Sequence, residues 1–123
     1  NGCDAFCSYC IIPYARGGSR SAAPDVVVDQ VRTLVAAGYP EVVLTGIHIG
    51  GYGLDLKPAA SLLELVGRIE RETALARLRL GSIEPTEITE ALIEAAAASA
   101  MFRAAARSAS AKSLPRAFME WTR

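Results

Sequence analysis

Beyond Cys10 this chain of 123 residues has no cysteine, and the three it has sit at positions 3, 7 and 10. So few thiols, packed into eight residues, make a poor disulfide framework and a good metal-binding one. Net charge is also missing: 13 Lys and Arg balance 13 Asp and Glu. Bulk charge therefore supplies no argument for nucleic acid, membrane or an acidic partner. No apolar run approaches the roughly 20 residues that cross a bilayer, and the start lacks a charged-then-apolar leader. No membrane association and a reducing cytoplasm are expected. There is one histidine, His48, far along the chain from the cysteines. A structural zinc site prefers four ligands, often in Cys-x-x-Cys pairs, and that set is absent here. What remains is ordinary: 51% hydrophobic and 21% charged residues, enough for one domain with a real core.

The first seventeen residues carry the chemistry. Spacings of four and then three residues on one short loop can point three thiolates at a common centre. Three thiolates hold three corners of a cubane iron–sulfur cluster and leave one iron open to a substrate or cofactor. Gly2 and the Gly17-Gly18 pair bracket the loop, and Pro13 stiffens its second half. Arg16 and Arg20 follow; they read as solvated charges, with contact to a phosphate or carboxylate as the alternative.

Residues 24–37 have a helical period. Val27, Val31, Leu34 and Val35 share a face, Pro24 and Asp25 suit the helix start, and Gly38 suits the position past its end. Residues 41–45 read as a short buried strand between Pro40 and Gly46. Residues 46–53 form a glycine-rich loop at its carboxyl end, without the spacing of a dinucleotide fingerprint. Ser61 and Glu64 have capping-box form and open a helix to about residue 72. Residues 77–83 are a second strand candidate, ended by Glu84-Pro85. Thr89 is expected to cap a third helix to about residue 98, with Ile88 and Ile93 as its hydrophobic staple. Strand and helix alternate, which predicts an α/β fold with a parallel sheet and helices packed outside it. Ligands in such folds gather at the carboxyl ends of the strands. The cysteine loop, residues 46–53 and residues 82–84 are all expected there. After Ser99 the rhythm fails. Eleven of the twenty-one residues from 91 to 111 are alanine, no strand is recognisable, and residues 114–121 suggest a partial helix. The chain thus divides into a core, residues 1–98, and an atypical Ala/Ser/Arg-rich tail, residues 99–123.

Cys3-x-x-x-Cys7-x-Tyr9-Cys10 resembles the signature of the radical S-adenosylmethionine enzymes, including the aromatic residue before the last cysteine. The longer string from Gly2 to Gly17 looks like their methylthiotransferase branch. Leu44-Thr45-Gly46-Ile47-His48-x-Gly50-Gly51-Tyr52-Gly53 and Ser82-Ile83-Glu84-Pro85 look like the bacterial subgroup that methylthiolates threonylcarbamoyladenosine beside the tRNA anticodon. The match covers about residues 1 to 98. Near residue 100 the chain departs from the family, in the manner of a truncated or frame-altered reading.

The resemblance implies a partial parallel βα (TIM-like) barrel, incomplete in this chain. It implies Cys3, Cys7 and Cys10 as ligands of a 4Fe–4S cluster whose free iron binds S-adenosyl-L-methionine. Cofactor-binding positions implied with it are Tyr9, Thr45, Gly46, Ser82 and Glu84. Their plainer readings are core packing for Tyr9, a simple βα turn for Thr45 and Gly46, and turn chemistry for Glu84. No catalytic side chain beyond the cluster ligands is expected, and His48 reads as a loop-packing residue. Full members of the branch carry a second 4Fe–4S cluster in an N-terminal domain and an RNA-binding domain at the C-terminus. Neither lies in these residues, and the fragment alone is expected to be inactive. Expected partners are tRNA and a reducing electron donor, with the chain a monomer. The rival readings are a methylthiotransferase for isopentenyl-adenosine tRNA or a ribosomal protein, and a non-catalytic metal-binding module.

Overall fold

The helix α2 (Pro24–Ala36) forms where the apolar period predicts it. Proline in its first turn lacks the N–H that would otherwise go unpaired there, and Asp25 meets the positive end of the helix dipole. Beyond its end Gly38 takes φ +87°, and its N–H donates to the Val35 carbonyl at 2.9 Å. A left-handed residue at that point turns the chain into the first strand with little steric cost.

The computed structural model describes residues 1–81 and 83–102 in full and residues 116–120 by their backbone. The elements run α1 (Ile12–Arg16), α2, β1 (Glu41–Thr45), α3 (Leu62–Glu72), β2 (Arg77–Leu80), α4 (Glu90–Ala98) and β3 (Arg116–Glu120). The bounds of β1 coincide with the sequence expectation. Helix α3 opens with the predicted capping box: the Glu64 N–H donates to Ser61 Oγ at 3.1 Å, and the Ser61 N–H to Glu64 Oε2 at 2.9 Å. Strand β2 stops three residues before the expected residue 83. At Gly81 the backbone still donates to the Leu44 carbonyl at 2.9 Å and then leaves the ladder. The short α1, inside the cysteine loop, has no period long enough to have been foreseen.

The sheet is parallel throughout, in the order β2-β1-β3, with Glu41 opposite both Arg77 and Arg116. Strand β3 corrects the reading of the tail, which placed no strand after Ser99 and a partial helix over residues 114–121. Without β3 that edge of β1 would leave a row of N–H and C=O groups without sheet partners. Pairing with it outweighs a weak local helix preference that Pro115 already interrupts. The rest of the tail, residues 103–115 and 121–123, lies outside the described residues.

Because side chains alternate along a strand, β1 divides its residues between two faces. Val42 and Leu44, with Leu78 of β2, pack against Val27, Val28 and Val31 of α2 and Leu62, Leu65, Val66 and Ile69 of α3. Met101 joins the same cluster. Burial of each such side chain stabilises by roughly 1.5–3 kcal/mol before chain entropy is counted. Of the expected stripe on α2, Val27 and Val31 are fully buried, whereas Leu34 and Val35 are only partly so. Ile88 and Ile93 stay exposed at the start of α4. Thr89 caps that helix as expected, Leu92 is the residue it buries, and the predicted staple does not reach the core. An ion-pair cluster ties α2 to α3 outside: Arg68 contacts Asp25 and Glu72 at 2.7 Å each, and Arg32 reaches Glu72 at 3.0 Å.

The opposite face of the sheet is mixed, with buried Val43 beside Glu41, Arg77 and Arg79. Glu41, 1% exposed, accepts from Arg77 Nε at 3.1 Å and lies 3.6 Å from Arg79 Nη1. A buried carboxylate needs such cations to offset its desolvation. Among the described residues no helix is long and apolar enough to cross a membrane.

Candidate metal and cofactor site

The cysteine loop is closed at its base by hydrogen bonds between its two arms. The Arg20 N–H donates to the Asn1 carbonyl at 2.6 Å, the Cys3 N–H to the Gly17 carbonyl at 3.1 Å, and the Ser19 N–H to Asp4 Oδ2 at 3.1 Å. Gly2 makes this approach possible. Its φ is +76°, and a Cβ there would stand 1.9 Å from the Gly18 carbonyl oxygen.

Inside the loop Cys3 is buried, and its Sγ accepts the Ala5 N–H at 3.4 Å. Cys7 and Cys10 are half-buried and joined by a turn, the Cys10 N–H donating to the Cys7 carbonyl at 2.9 Å. Between them and Cys3, Phe6 holds φ +47°, a conformation uncommon for an aromatic residue. Its ring packs edge-on against Tyr14 with centroids 5.7 Å apart. All three thiols are free of disulfides. Among the described residues no group of three or more His, Cys, Asp or Glu side chains is close enough to hold a metal ion. The fold therefore brings the cysteines onto one loop without bringing their sulfurs to one point.

The chemistry of the donor set still suits an iron–sulfur cluster better than zinc. It offers three soft thiolates and no fourth ligand, and one sulfur already accepts a backbone N–H, the kind of contact that tunes cluster potentials. His48, the one imidazole in the chain, pairs with Glu87 on another loop.

The arms of the cysteine loop meet the carboxyl end of β1 around a cavity of about 60 Å³. Gly2 and Arg20 form one side, Thr45, Gly46 and His48 the other, and Leu65 is in the floor. Residues 52–55 anchor the chain leaving the cysteine loop. The Tyr52 hydroxyl donates to the Ala22 carbonyl at 2.7 Å, the Gly53 N–H to Ser21 Oγ at 2.9 Å, and the Ser21 N–H to Asp55 Oδ2 at 2.8 Å. Burial pushes the Tyr52 hydroxyl pKa up to about 12; the charge of Arg68 eases that shift and Asp55 adds to it. Burial also raises Asp55, but the hydrogen bonds from Ser21 outweigh it and hold that carboxyl below its ordinary value.

The residues singled out in the sequence fall in different places. Thr45 and Gly46 form part of the cavity wall, and Gly81 stands close beside Thr45 Oγ1. Tyr9 is 91% exposed on the outside of the loop, so the core-packing alternative is not what the fold does with it. Ser82 lies outside the described residues. Glu84 is exposed and engaged in turn chemistry, capping the single turn Pro85–Glu87 while its N–H donates to Glu87 Oε2 at 3.1 Å. Arg20 reaches the cavity, and Arg16, in the last turn of α1, is exposed. Sequence reasoning missed Ser21, Tyr52, Asp55 and Glu87. For Glu87 a signal existed, since Glu84 and Glu87 have the three-residue spacing of a capping box.

Comparison with known proteins adds an independent line. Residues 1–103 match the profile of the Radical SAM superfamily. The chain is 51% identical over 96 residues to the threonylcarbamoyladenosine tRNA methylthiotransferase MtaB of Bacillus subtilis, covering 76% of this chain and 21% of that protein. It is similar to two enzymes named tRNA-2-methylthio-N(6)-dimethylallyladenosine synthase. That of Clostridium botulinum (strain Okra / Type B1) is 40% identical over 96 residues, covering 78% of this chain and 21% of the relative. That of Carboxydothermus hydrogenoformans is 42% identical over 98 residues, covering 80% and 22%. The chain thus spans about a fifth of the length of the curated relatives it matches. Matched from its cysteine loop through its last described helix, the chain belongs to the Radical SAM superfamily, and membership implies a 4Fe–4S cluster and S-adenosylmethionine.

Proposed function

We propose that this chain is part of the radical core of a tRNA methylthiotransferase, its sheet forming part of a βα barrel wall. The observation that carries the reading is one juxtaposition. The loop bearing Cys3, Cys7 and Cys10 closes against the carboxyl end of β1, where Thr45 and Gly46 line a cavity. In this reading Cys3, Cys7 and Cys10 hold the cluster. The half-buried side chains of Cys7 and Cys10 turn inward toward Cys3 as they do so, a rotamer change that an open loop permits. When bound, the cluster supplies the electron for reductive cleavage of S-adenosylmethionine. The chain's own residues do the positioning. The Ala5 N–H stabilises the Cys3 thiolate, and Thr45 and Gly46 bind the amino-acid end of the cofactor. Tyr9, exposed beside Cys10, stacks near the adenine, and Ser82 and Glu84 contact the cofactor from the end of β2. The Glu84 backbone is held meanwhile by the Glu87 N–H, which donates to its carbonyl at 3.0 Å, and by its own N–H on Glu87 Oε2.

The substrate in this reading is N6-threonylcarbamoyladenosine in tRNA, methylthiolated at C2, in the cytoplasm. Support comes from 51% identity to the relative named for that nucleoside. The alternative, action on dimethylallyl-adenosine tRNA, rests on relatives that are 40% and 42% identical. A second 4Fe–4S cluster and the tRNA contacts belong, in this account, to regions of the longer relatives that this chain does not match.

Anaerobic reconstitution tests the core claim. About four irons and four sulfides per chain are expected, with a spectrum that changes on adding S-adenosylmethionine. One equivalent of zinc retained, with no uptake of iron, would sink it in favour of a structural metal module.

A further inference from the structure

We propose that His48 and Glu87 form a clasp that sets the spacing between the two strand-end loops, and that the pair positions S-adenosylmethionine by fixing that spacing. This inference rests on the function proposed above. His48 lies on the loop after β1 and Glu87 on the turn after β2, 39 positions apart in sequence. His48 Nε2 pairs with Glu87 Oε1, and both side chains are largely covered, 26% and 18% exposed. The second carboxylate oxygen is also used, since Glu87 Oε2 accepts the Glu84 N–H at 3.1 Å. One carboxylate therefore grips a histidine on one loop and a backbone amide on the other.

Two further contacts show how closely the loops are fitted. A Cβ placed on Gly50 would stand 2.1 Å from Glu87 Oε2 and 2.7 Å from Glu87 Cβ, so only glycine leaves room for the carboxylate. On its other side the imidazole lies over Gly51, whose Cβ would meet Nδ1 at 3.4 Å. His48 also lines the cavity with Thr45 and Gly46. Loss of the clasp frees the loop that carries those two residues from the turn that carries Glu84. A site whose walls are not held in place binds less tightly, because ordering them is then charged to the ligand.

The experiment uses the 123-residue chain and has a readout that needs no cofactor. Amide hydrogen exchange, followed by NMR, is measured for His48→Ala, Glu87→Ala, Gly50→Ala and the conservative His48→Gln. In His48→Ala the Glu84 amide on the other loop should exchange about 5–10-fold faster, with Gly50→Ala reproducing the effect and His48→Gln restoring most of the protection. Unchanged exchange at Glu84 in both His48→Ala and Gly50→Ala overturns the clasp. An amide signal in α2 unchanged from the parent chain shows that each variant has folded. The dissociation constant of S-adenosylmethionine is then measured by equilibrium dialysis on the iron-loaded chains. A rise of about 5-fold or more in His48→Ala, Glu87→Ala and Gly50→Ala, but not His48→Gln, supports positioning. Parent-like affinity in all of them overturns it. A parent chain that loads iron yet binds no S-adenosylmethionine, with the exchange coupling intact, overturns the function proposed above and leaves the clasp as a structural contact only.

Discussion

The Tyr52 hydroxyl donates a 2.7 Å hydrogen bond to the Ala22 carbonyl, so the loop after β1 holds the segment that leaves the cysteine loop. This tie joins two parts of the site that are thirty positions apart in sequence. Tyr52→Phe removes it with little change in shape and is expected to cost about 1 kcal/mol in a urea melt. The same hydroxyl predicts an alkaline effect. In the unfolded chain Tyr52 loses its proton near pH 10, whereas in the folded chain burial delays that loss to about 12. Between those values the folded state binds the extra proton, so stability falls as pH rises through the window. Tyr52→Phe should flatten that part of the stability profile. An unchanged slope between pH 10 and 12 would show that Tyr52 is not its source.

Glu41→Ala leaves Arg77, with its side chain 15% exposed, without the carboxylate that accepts from its Nε. Removing one member of a buried pair costs about 3–5 kcal/mol, a large share of the stability of a domain this size. Replacing both, as Glu41→Leu with Arg77→Leu, should recover most of that loss. Urea denaturation of Glu41→Leu, Arg77→Leu and the double variant closes the cycle and gives the coupling directly.

Gly2→Ala tests the base of the cysteine loop. The new Cβ meets the Gly18 carbonyl, and the backbone stays in the left-handed region, which together are expected to cost about 2–4 kcal/mol. Gly46→Ala is the contrast. Nothing lies within 4 Å of its Cβ position, and a change of less than about 1 kcal/mol is expected. Equal melting curves for the two variants would contradict the close approach of the loop's arms.

Cys7→Ala should abolish iron–sulfur loading of this chain, and in a full-length enzyme the cleavage of S-adenosylmethionine. Cys7 is only half-buried, so the folded baseline should shift by less than about 1 kcal/mol. Loss of the cluster without loss of the fold then assigns Cys7 as a ligand. Retained loading or cleavage would refute the cluster assignment.

Much of the scaffold was legible because its causes are local. The period of Val27 and Val31, Pro24 at a helix start and the Ser61–Glu64 capping box act within one or two turns of chain, and each element stands where they put it. Strand β3 was not legible. A strand is stabilised by its neighbour, and only the open edge of β1 explains why residues 116–120 extend rather than coil. Which face of α4 is buried was not legible for a related reason: Leu92 is covered while Ile88 and Ile93 stay exposed, a choice that depends on α3 and the segment around Met101.

The same division runs through the site. By itself the sequence determined which residues carry the chemistry. Three cysteines at these spacings, a glycine-rich loop after a buried strand and their place in a βα alternation are all properties of order along the chain. Tertiary structure alone decided who meets whom. It set Glu87 against His48, Ser21 against Asp55 and Gly53, and Tyr52 against Ala22. It also placed Cys3 inside while leaving Cys7 and Cys10 half-open. Spacing limits where a side chain can reach, but its rotamer and partners depend on packing between segments distant in sequence. That is why the cysteine loop could be read from its residues, and the contacts that hold it in place could not.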